Sequence, residues 1–319
     1  MSNINFNLES VVGEFKLKAL SNFSDGVNFI WGRSGNGKTT LLNNLAGFIK
    51  PIIGEIKIND KLIFSSDKNI NIPPENRNIS YVQQEEKLFP NMKVIENIEF
   101  GYKFLNNSQK KINPSDCLNL LDIKNLENFY PSQLSGGQKQ KVALARALAR
   151  NGQILMLDEP INSIDFISSK KIFRTIEDLS KDLSLCVLYI THSIDEILRS
   201  KNEILFVNKG QAISKKTKNN ILDFWDNENL INFIDEKDYN ENYFSSGSVM
   251  ISKEKFNHQD LGFYFSGEVT NIVNSKNKSL LEIKSEKDYW VSLDNTIFNK
   301  LQLNNKDKVF CFVYKNLVL

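Results

Sequence analysis

Cysteine is scarce in this chain of 319 residues, which contains only Cys117, Cys186 and Cys311. The three lie far apart and none belongs to a C-x-x-C pair, so the sequence excludes a disulfide framework and a zinc knuckle. We expect buried thiols in the reducing environment of the cytosol.

Long apolar runs and an excess of one charge are also missing. No stretch of about 18 apolar residues is present, and residues 1–10 have neither the basic start nor the apolar centre of a signal peptide, so we expect no membrane span and no export. The chain contains 40 basic and 38 acidic residues, which gives a net charge of +2. This balance offers no electrostatic footprint for nucleic acid, and we expect none as a partner.

A glycine-rich motif is the first strong positive signal. It consists of Gly32, Arg33, Ser34, Gly35, Asn36, Gly37, Lys38 and Thr39, and Thr40 follows. The spacing G-x-x-x-x-G-K-[ST], between a strand-like run and a helical pattern, predicts a loop whose backbone N–H groups wrap nucleotide phosphates. We expect Lys38 to reach the β- and γ-phosphates and Thr39 to bind Mg²⁺, so that ATP and Mg²⁺ are the cofactors.

An uninterrupted apolar run over 153–157 ends at two adjacent carboxylates. Asp158 is predicted to lie at the carboxyl edge of a parallel sheet, where it can hold the metal, usually through water. Neighbouring side chains of a strand point to opposite faces, so Glu159 is free for another role if the strand ends there, which Pro160 favours. We expect Glu159 to orient or deprotonate the attacking water.

Two further polar residues follow predicted strands of the same sheet. His192 comes after the apolar run 185–191 and is predicted to contact the γ-phosphate. Gln84 closes the run 79–83, and its neutral amide can reach metal or water from one side. Both are therefore candidate members of the nucleotide site.

The order of the remaining patterns predicts two domains. Helical spacing over 137–150 and 166–179 alternates with apolar strands, which indicates an α/β sheet covered on both faces, with a helical lobe inserted at about 85–135. This domain is predicted to cover 1–234 and to end in a helix over 221–234. A polar linker, 235–258, leads to short β-like segments over 259–319 that predict a small β-barrel.

The aromatic residues of the predicted barrel indicate which side chains form its core. Phe310, Phe312 and Tyr314 fall on one face of a strand by their period of two, and we expect them to fill the core together with Trp290.

The run Leu134-Ser135-Gly136-Gly137-Gln138 is the signature sequence of ABC ATPases. Together with the phosphate loop, the Asp-Glu strand and the later histidine, it makes the chain resemble that superfamily over about 4–210. The resemblance implies a P-loop NTPase cassette with a mixed sheet and a helical lobe. It also implies a homodimer in which Ser135, Gly137 and Gln138 of one copy complete the ATP site of the other.

The same resemblance assigns further roles. It implies that Gln84 is the Q-loop glutamine, Asp165 the D-loop aspartate and His192 the switch histidine, and that residues 85–90 face the membrane subunits. The segment 162–165 reads Asn-Ser-Ile-Asp where the family has S-A-L-D. The aspartate is kept, and its neighbours differ.

A narrower resemblance concerns the cargo. Residues 72–90 are similar to importer ATPases that carry a C-terminal TOBE domain, and 62–72 and 192–198 to ATPase subunits of molybdate importers, whose Mop domain the tail from 266 resembles. This implies a peripheral ATPase on the cytoplasmic face of the inner membrane that powers oxyanion uptake, with molybdate favoured. Its partners would be two integral membrane permease subunits and, indirectly, an external binding protein.

Three alternatives remain beside this interpretation. Sulfate, ferric iron, polyamine or sugar could replace molybdate, because the cargo does not touch this subunit. A soluble ABC ATPase acting on ribosomes or DNA is disfavoured by the single cassette and the charge balance. A subunit that binds ATP without hydrolysing it is disfavoured by the intact Lys38, Asp158, Glu159 and His192.

In the tail, the oxyanion-pocket sequence S-x-R-N is missing, so we expect a domain that regulates or dimerises.

Overall fold

The computed structural model describes residues 2–191, 204–216, 231–233, 243–245, 249–256, 262–274, 278–285 and 288–314. His192 and residues 221–230 of the predicted last helix lie outside these ranges. The predicted domain boundaries at 234 and 258 also fall on residues that are not described, and they stay predictions. The chain divides into two compact units, with the change at residues 215 and 216, and each is described by itself.

The first unit is built on a mixed sheet of 11 strands. In chain order these are β1 (Ile4–Val12), β2 (Phe15–Phe23), β3 (Gly26–Trp31), β4 (Ile53–Ile58), β5 (Lys61–Ser65), β6 (Ile70–Asn71), β7 (Ile79–Val82), β8 (Ile154–Asp158), β9 (Cys186–Ile190), β10 (Ile204–Asn208) and β11 (Gln211–Lys216). Their spatial order is β6-β5-β4-β1-β2-β11-β10-β3-β9-β8-β7. The predicted mixed α/β sheet is therefore confirmed.

The described residues of this unit form five α-helices. They are α1 (Lys38–Ala46), α2 (Val94–Tyr102), α3 (Pro114–Leu120), α4 (Gly136–Ala149) and α5 (Phe166–Asp182). The helices α2 and α3, with short 3-10 turns beside them, occupy the stretch predicted as a helical lobe. Side chains cap α3 and α5, because Asn113 and Asp165 accept backbone N–H bonds from Asp116 and Ser168.

Parallel pairing brings one set of strand ends together. The strands β3, β9, β8 and β7 are neighbours in that order, and each adjacent pair is parallel. Every residue of β8 and β9 is buried, as expected for strands covered on both faces. The phosphate loop, the Asp-Glu pair and Gln84 follow the carboxyl ends of β3, β8 and β7, so they all leave the same edge of the sheet.

The strands β10 and β11, like the short β6, were absent from the sequence-based assignment. The strands β10 and β11 pair in parallel with β3 and β2 and thereby join the parallel and antiparallel halves of the sheet. They are linked by a turn in which Lys209 and Gly210 both have positive φ, 45° and 77°. The Lys-Gly pair between two alternating apolar runs is the signal that could have predicted this hairpin.

The second unit contains a five-stranded antiparallel sheet in the order β14-β18-β15-β16-β17. Its elements are β14 (Met250–Ser252), β15 (Gly262–Asn274), β16 (Lys278–Lys284), β17 (Asp288–Asp294), α6 (Asn295–Leu301) and β18 (Lys308–Tyr314), and a separate pair is formed by β12 (Ile231–Phe233) and β13 (Tyr243–Ser245). Residues 231–233 thus form a strand, so the helix predicted to reach residue 234 is wrong at its end.

The core face of β18 differs from the prediction. Val309, Cys311 and Val313 are fully buried in the core cluster, whereas Phe310 is half-buried on the other face. On β17 the core side chains are Tyr289, Val291 and Leu293, whereas Trp290 is half-buried. Of the predicted core aromatics whose side chains are described, only Phe312 is buried, at 3% exposure. The alternation of a strand shows which residues share a face but not which face is buried. The prediction chose the face with the larger aromatic side chains, and that choice was wrong.

All three cysteines lie in the described part of the chain, are buried and form no disulfide. Burial raises the pKa of the Cys117 thiol to about 12. The prediction of buried thiols is therefore confirmed.

A buried arginine ties the end of α1 to the strand region that follows. The Arg77 guanidinium, 2% exposed, donates to the carbonyls of Asn44 and Leu45 at 3.1 and 2.8 Å, to the Ile72 carbonyl at 2.8 Å and to Asn71 Oδ1 at 2.9 Å. The Asn44 carbonyl also accepts the Gly47 N–H at 3.2 Å. Carbonyls of the last turn lack the usual helical donor, so the cation helps to satisfy them and complements the helix dipole.

The substitution Arg77→Ala is expected to lower the free energy of unfolding by about 2–4 kcal/mol, because it leaves buried carbonyls without their donor. Chemical denaturation followed by circular dichroism measures this change. The matched substitution Arg174→Ala, on an exposed position of α5, should change it by less than about 0.5 kcal/mol. Equal effects of the two substitutions would contradict the structural role of Arg77.

Candidate functional site

The loop between β3 and α1 has the backbone shape of an anion cradle. Gly35 and Gly37 have positive φ values of 76° and 100°, which other residues adopt only with strain. Gly37 is the N-cap of α1 and provides no side chain to bond the first N–H groups of the helix. These N–H groups, with the positive end of the helix dipole, suit a phosphate.

The hairpin β10–β11 packs against this loop. Asn36 Nδ2 donates to the Val207 carbonyl at 3.2 Å, and the Gly210 N–H donates to the Asn36 carbonyl at 3.2 Å. A Cβ at Gly32 would lie 2.1 Å from the Val207 oxygen, so only glycine allows this approach. Sequence reasoning missed Val207 and Gly210, because their contact with the loop is made across strands far apart in the chain.

The Lys38 ammonium lies folded back on its own loop. Its Nζ donates to the carbonyls of Gly32 at 2.6 Å and Arg33 at 3.1 Å, and the residue is 6% exposed. Burial lowers the pKa of Lys38, while the charges of Glu159 and Asp158 act in the opposite direction. The two carboxylates are thus close enough to stabilise the lysine in its charged form.

The strand β8 ends at Asp158, as predicted, and the backbone then changes direction. Glu159 has φ 53°, in the left-handed region, and its N–H donates to the Ile190 carbonyl of β9 at 3.1 Å. Asp158 is 1% exposed and Glu159 is half-buried, so the two carboxylates lie in different environments. A strained non-glycine residue of this kind is held by its surroundings and is common at functional sites.

Tyr81 of β7 is a further neighbour of this pair. Burial, followed by the charge of Asp158, raises the pKa of the Tyr81 phenol, which therefore stays neutral at physiological pH. Sequence reasoning missed this residue, because a tyrosine inside an apolar strand is typical of a core position.

The other predicted ligands of phosphate and metal lie at the surface of this edge. Arg33, Ser34 and Thr39 are exposed, and Thr40 is half-buried. Gln84, two residues beyond the end of β7, is exposed as well. The contacts bring Lys38, Asp158 and Glu159 together, and the sheet topology places Gln84 at the same edge.

The signature residues begin α4. Ser135 and Gln138 form a capping box, in which each side chain accepts the backbone N–H of the other residue, at 3.3 Å for Ser135 Oγ and 2.9 Å for Gln138 Oε1. Ser135 is exposed. A Cβ at Gly137 would lie 2.8 Å from the Ser163 carbonyl oxygen, so the start of α4 packs directly on the turn that follows β8.

The turn after β8 is held at both of its ends. The Ser163 N–H donates to Oε1 of the buried Gln140 at 3.0 Å, and Asp165 Oδ1 accepts the Ser168 N–H at 2.9 Å as the cap of α5. Burial raises the pKa of Asp165, but the bonds from Ser168 and the charge of Lys141 outweigh it, so the pKa is lowered overall. Gln140 was missed from the sequence, because helical spacing alone does not reveal which polar residue faces inward.

His192 lies outside the described residues, so its predicted contact with the γ-phosphate stays a prediction. Among the described residues no group of three or more histidine, cysteine or carboxylate side chains could hold a metal ion. In the same part of the chain, no helix is long and apolar enough to cross a membrane.

The glycine loop, the strand order and the carboxylate pair define an ATP-binding cassette, and the ABC transporter family model matches residues 20–162. The fold agrees with a solved dimeric ATP-binding cassette bound to ADP and Pi, with a TM-score of 0.57, 26% identity, and coverage of 68% of this chain and 99% of that one. Residues 20–162 thus match the ABC transporter family, and the first unit has the fold of an ATP-binding cassette.

Among these proteins the chain is similar to molybdenum import ATP-binding proteins ModC. The protein from Paramagnetospirillum magneticum is 36% identical over 66% of this chain and 58% of its own length. The protein from Shewanella sp. (strain MR-7) is 37% identical over 71% of this chain and 61% of its own length. The chain therefore spans about three-fifths of the length of these relatives.

The shape of the phosphate loop can be tested at one glycine. A Cβ at Gly37 would lie 2.6 Å from the Phe15 ring, whereas at Gly26, whose φ of 98° is nearly the same, it would meet nothing within 4 Å. Both Gly37→Ala and Gly26→Ala should lose about 1–2 kcal/mol of stability from backbone strain. Only Gly37→Ala should also abolish ATP binding in calorimetric titration. Normal binding by that variant would contradict the predicted cradle.

Proposed function

We propose that this chain is the ATP-hydrolysing subunit of an ABC importer that powers the uptake of an oxyanion, with molybdate as the cargo. The observation that carries the proposal is that Lys38 on the glycine loop and the carboxylates after β8 lie at one edge of the sheet, where the charges of Glu159 and Asp158 act to raise the Lys38 pKa. A phosphate-binding cation beside a buried and a half-buried carboxylate is the arrangement that nucleotide hydrolysis needs.

In this proposal, the loop and its lysine bind the phosphates. The residues from Gly32 to Thr40 surround the phosphates with backbone N–H groups, and Lys38 turns from its own carbonyls to the β- and γ-phosphates. Its hydrogen bonds to the Gly32 and Arg33 carbonyls are then replaced by bonds to phosphate oxygens, in which both the donor and the acceptor are charged. His192 is proposed to contact the γ-phosphate from the end of β9.

Hydrolysis falls to Glu159. Its carboxylate accepts a proton from the attacking water as the water oxygen bonds to the γ-phosphorus, and the bond to the ADP oxygen breaks. The left-handed backbone at Glu159 makes this possible, because it turns the side chain away from the direction that Asp158 takes. The two carboxylates can therefore serve different partners.

The residues proposed for Mg²⁺ fit that ion. Magnesium is bound through one or two carboxylates together with phosphate oxygens and waters, so a single buried carboxylate at Asp158 suffices without a cluster of acidic groups. Thr39 Oγ1 and Gln84 Oε1 are the other protein ligands proposed here. When bound, the ion neutralises charge on the phosphates.

A homodimer would complete each site. Ser135 is exposed at the start of α4, where its hydroxyl and the helix N–H groups are open to a phosphate of another copy. We propose that Ser135, Gly137 and Gln138 of one copy bind the ATP held by the loop of its partner, with Asp165 beside them. The dimeric solved cassette supports this arrangement.

The surface beside Gln84 supports docking to membrane subunits. Phe100 and Phe104 are 41% and 79% exposed. The ring of Phe100 lies tilted against Phe89 at a centroid distance of 4.5 Å and edge-on to Phe104 at 5.9 Å. Exposed aromatic groups of this kind mark interaction sites. We propose that they contact two permease subunits at the cytoplasmic face of the membrane.

The half-buried Arg146 and the buried Asn97 fix the segment between Gln84 and this aromatic surface. Arg146 donates to the carbonyls of Lys87 at 3.0 Å and Glu86 at 3.2 Å. Asn97 accepts the Phe89 N–H at 2.8 Å and donates to the Phe89 carbonyl at 3.1 Å. A displacement of the aromatic surface would therefore be transmitted to Gln84.

Molybdate is proposed on the similarity to proteins named as molybdenum importers. The cargo would be delivered by an external binding protein and would not touch this chain. The C-terminal unit is proposed to be a TOBE- or Mop-like domain that regulates or dimerises.

The role of Glu159 predicts that Glu159→Gln abolishes ATP hydrolysis and leaves ATP binding within about twofold, because the amide keeps the shape but accepts no proton from water. Phosphate release and equilibrium binding measure the two effects. The control Glu75→Gln, on an exposed turn, should hydrolyse ATP normally. Full activity of Glu159→Gln would refute its role as the base.

The cargo can be tested in vesicles that combine this subunit in turn with importers of molybdate, sulfate, ferric iron, polyamine and sugar, each with its own permease and binding protein. Molybdate or tungstate should stimulate ATP hydrolysis, whereas the other cargoes should not, because this subunit couples only to the permease that it fits. Stimulation by sulfate alone would change the cargo and keep the ATPase assignment.

A further inference from the structure

The side chain of Asn162 contacts the proposed catalytic carboxylate. Its Nδ2 donates a hydrogen bond to Glu159 Oε2. Asn162 is exposed and lies three residues after Glu159, in the turn that leads to α5. None of the roles proposed above uses this residue.

The turn that carries Asn162 is fixed on both sides. Before it, Pro160 and Ile161 are buried, and the Ile164 N–H donates to the Ile161 carbonyl at 3.1 Å. After it, the Ser163 N–H is bonded to the buried Gln140 at 3.0 Å. The Asn162 amide is therefore presented from a rigid backbone and does not need to be ordered when it bonds to Glu159.

Glu159 needs such a partner more than an ordinary glutamate does. Its backbone is held by the bond to Ile190, but its side chain is half-buried and has three rotatable bonds. Fixing a long side chain in one rotamer costs up to about 1.5–2 kcal/mol of conformational entropy. A catalytic base must also lie within hydrogen-bond reach of the water that it activates. The bond to Oε2 restricts the orientations that the carboxylate can take.

We propose that Asn162 is a positioning residue, whose amide holds the Glu159 carboxylate in the orientation that accepts a proton from the attacking water. This inference rests on the proposed function, in which Glu159 is the base. Asn162 does not touch the nucleotide in this account, so it affects turnover and not ATP binding.

The test measures kcat and KM for ATP in the full chain. For Asn162→Ala, kcat should fall about tenfold while KM stays within about twofold, because only the orientation of the base is lost. Asn162→Asp has the same size but puts a carboxylate in place of the donor, so its kcat should fall further. The control Asn119→Ala, on an exposed position of α3, should match the unmodified chain.

Comparison of Asn162→Ala with Glu159→Gln separates the positioning role from the role of the proposed base. A kcat of Asn162→Ala within twofold of the unmodified chain, with Glu159→Gln inactive, would overturn the positioning role alone. If Glu159→Gln itself hydrolyses ATP normally, both the proposed base and the positioning role fail.

Discussion

The Lys38 ammonium is bonded to two carbonyls of the loop from which it extends, and the geometry of the nucleotide edge depends on this contact. A buried cation needs acceptors and neighbouring negative charge, and here the loop carbonyls supply the first and Asp158 and Glu159 the second. The loop is thereby kept in its binding shape before any phosphate arrives. In the proposed function, phosphate would replace the carbonyls as the acceptor and keep the charge compensated.

The parallel strands explain why these groups meet. The loop follows β3 and the carboxylates follow β8, with β9 between them, so residues more than a hundred positions apart leave one sheet edge. The abrupt turn at Glu159, with φ 53°, separates the two carboxylates into a buried and a half-buried one. Packing of the signature helix on the turn after β8 then links two halves of the site that would serve different nucleotides.

The motifs at this edge were predictable because their chemistry is local. A glycine spacing or a carboxylate pair that ends an apolar strand needs no knowledge of the fold, and both were located correctly. The contacts of Arg77, Tyr81, Gln140 and the β10–β11 hairpin were not predictable, because each depends on a partner distant in sequence. The core face of β18 was assigned wrongly for a related reason: alternation gives two faces, and burial of Val309 and Cys311 is decided by the opposing sheet surface.

The most direct test is whether the start of α4, which carries Ser135, contacts the phosphate loop of another copy. All three native cysteines are buried, so Ser135→Cys and Ser34→Cys can be placed in separate copies of the Glu159→Gln variant and mixed. The account predicts a disulfide between copies that forms with ATP and Mg²⁺ and is absent with ADP. A disulfide of equal yield without nucleotide, or none at saturating ATP, would contradict it.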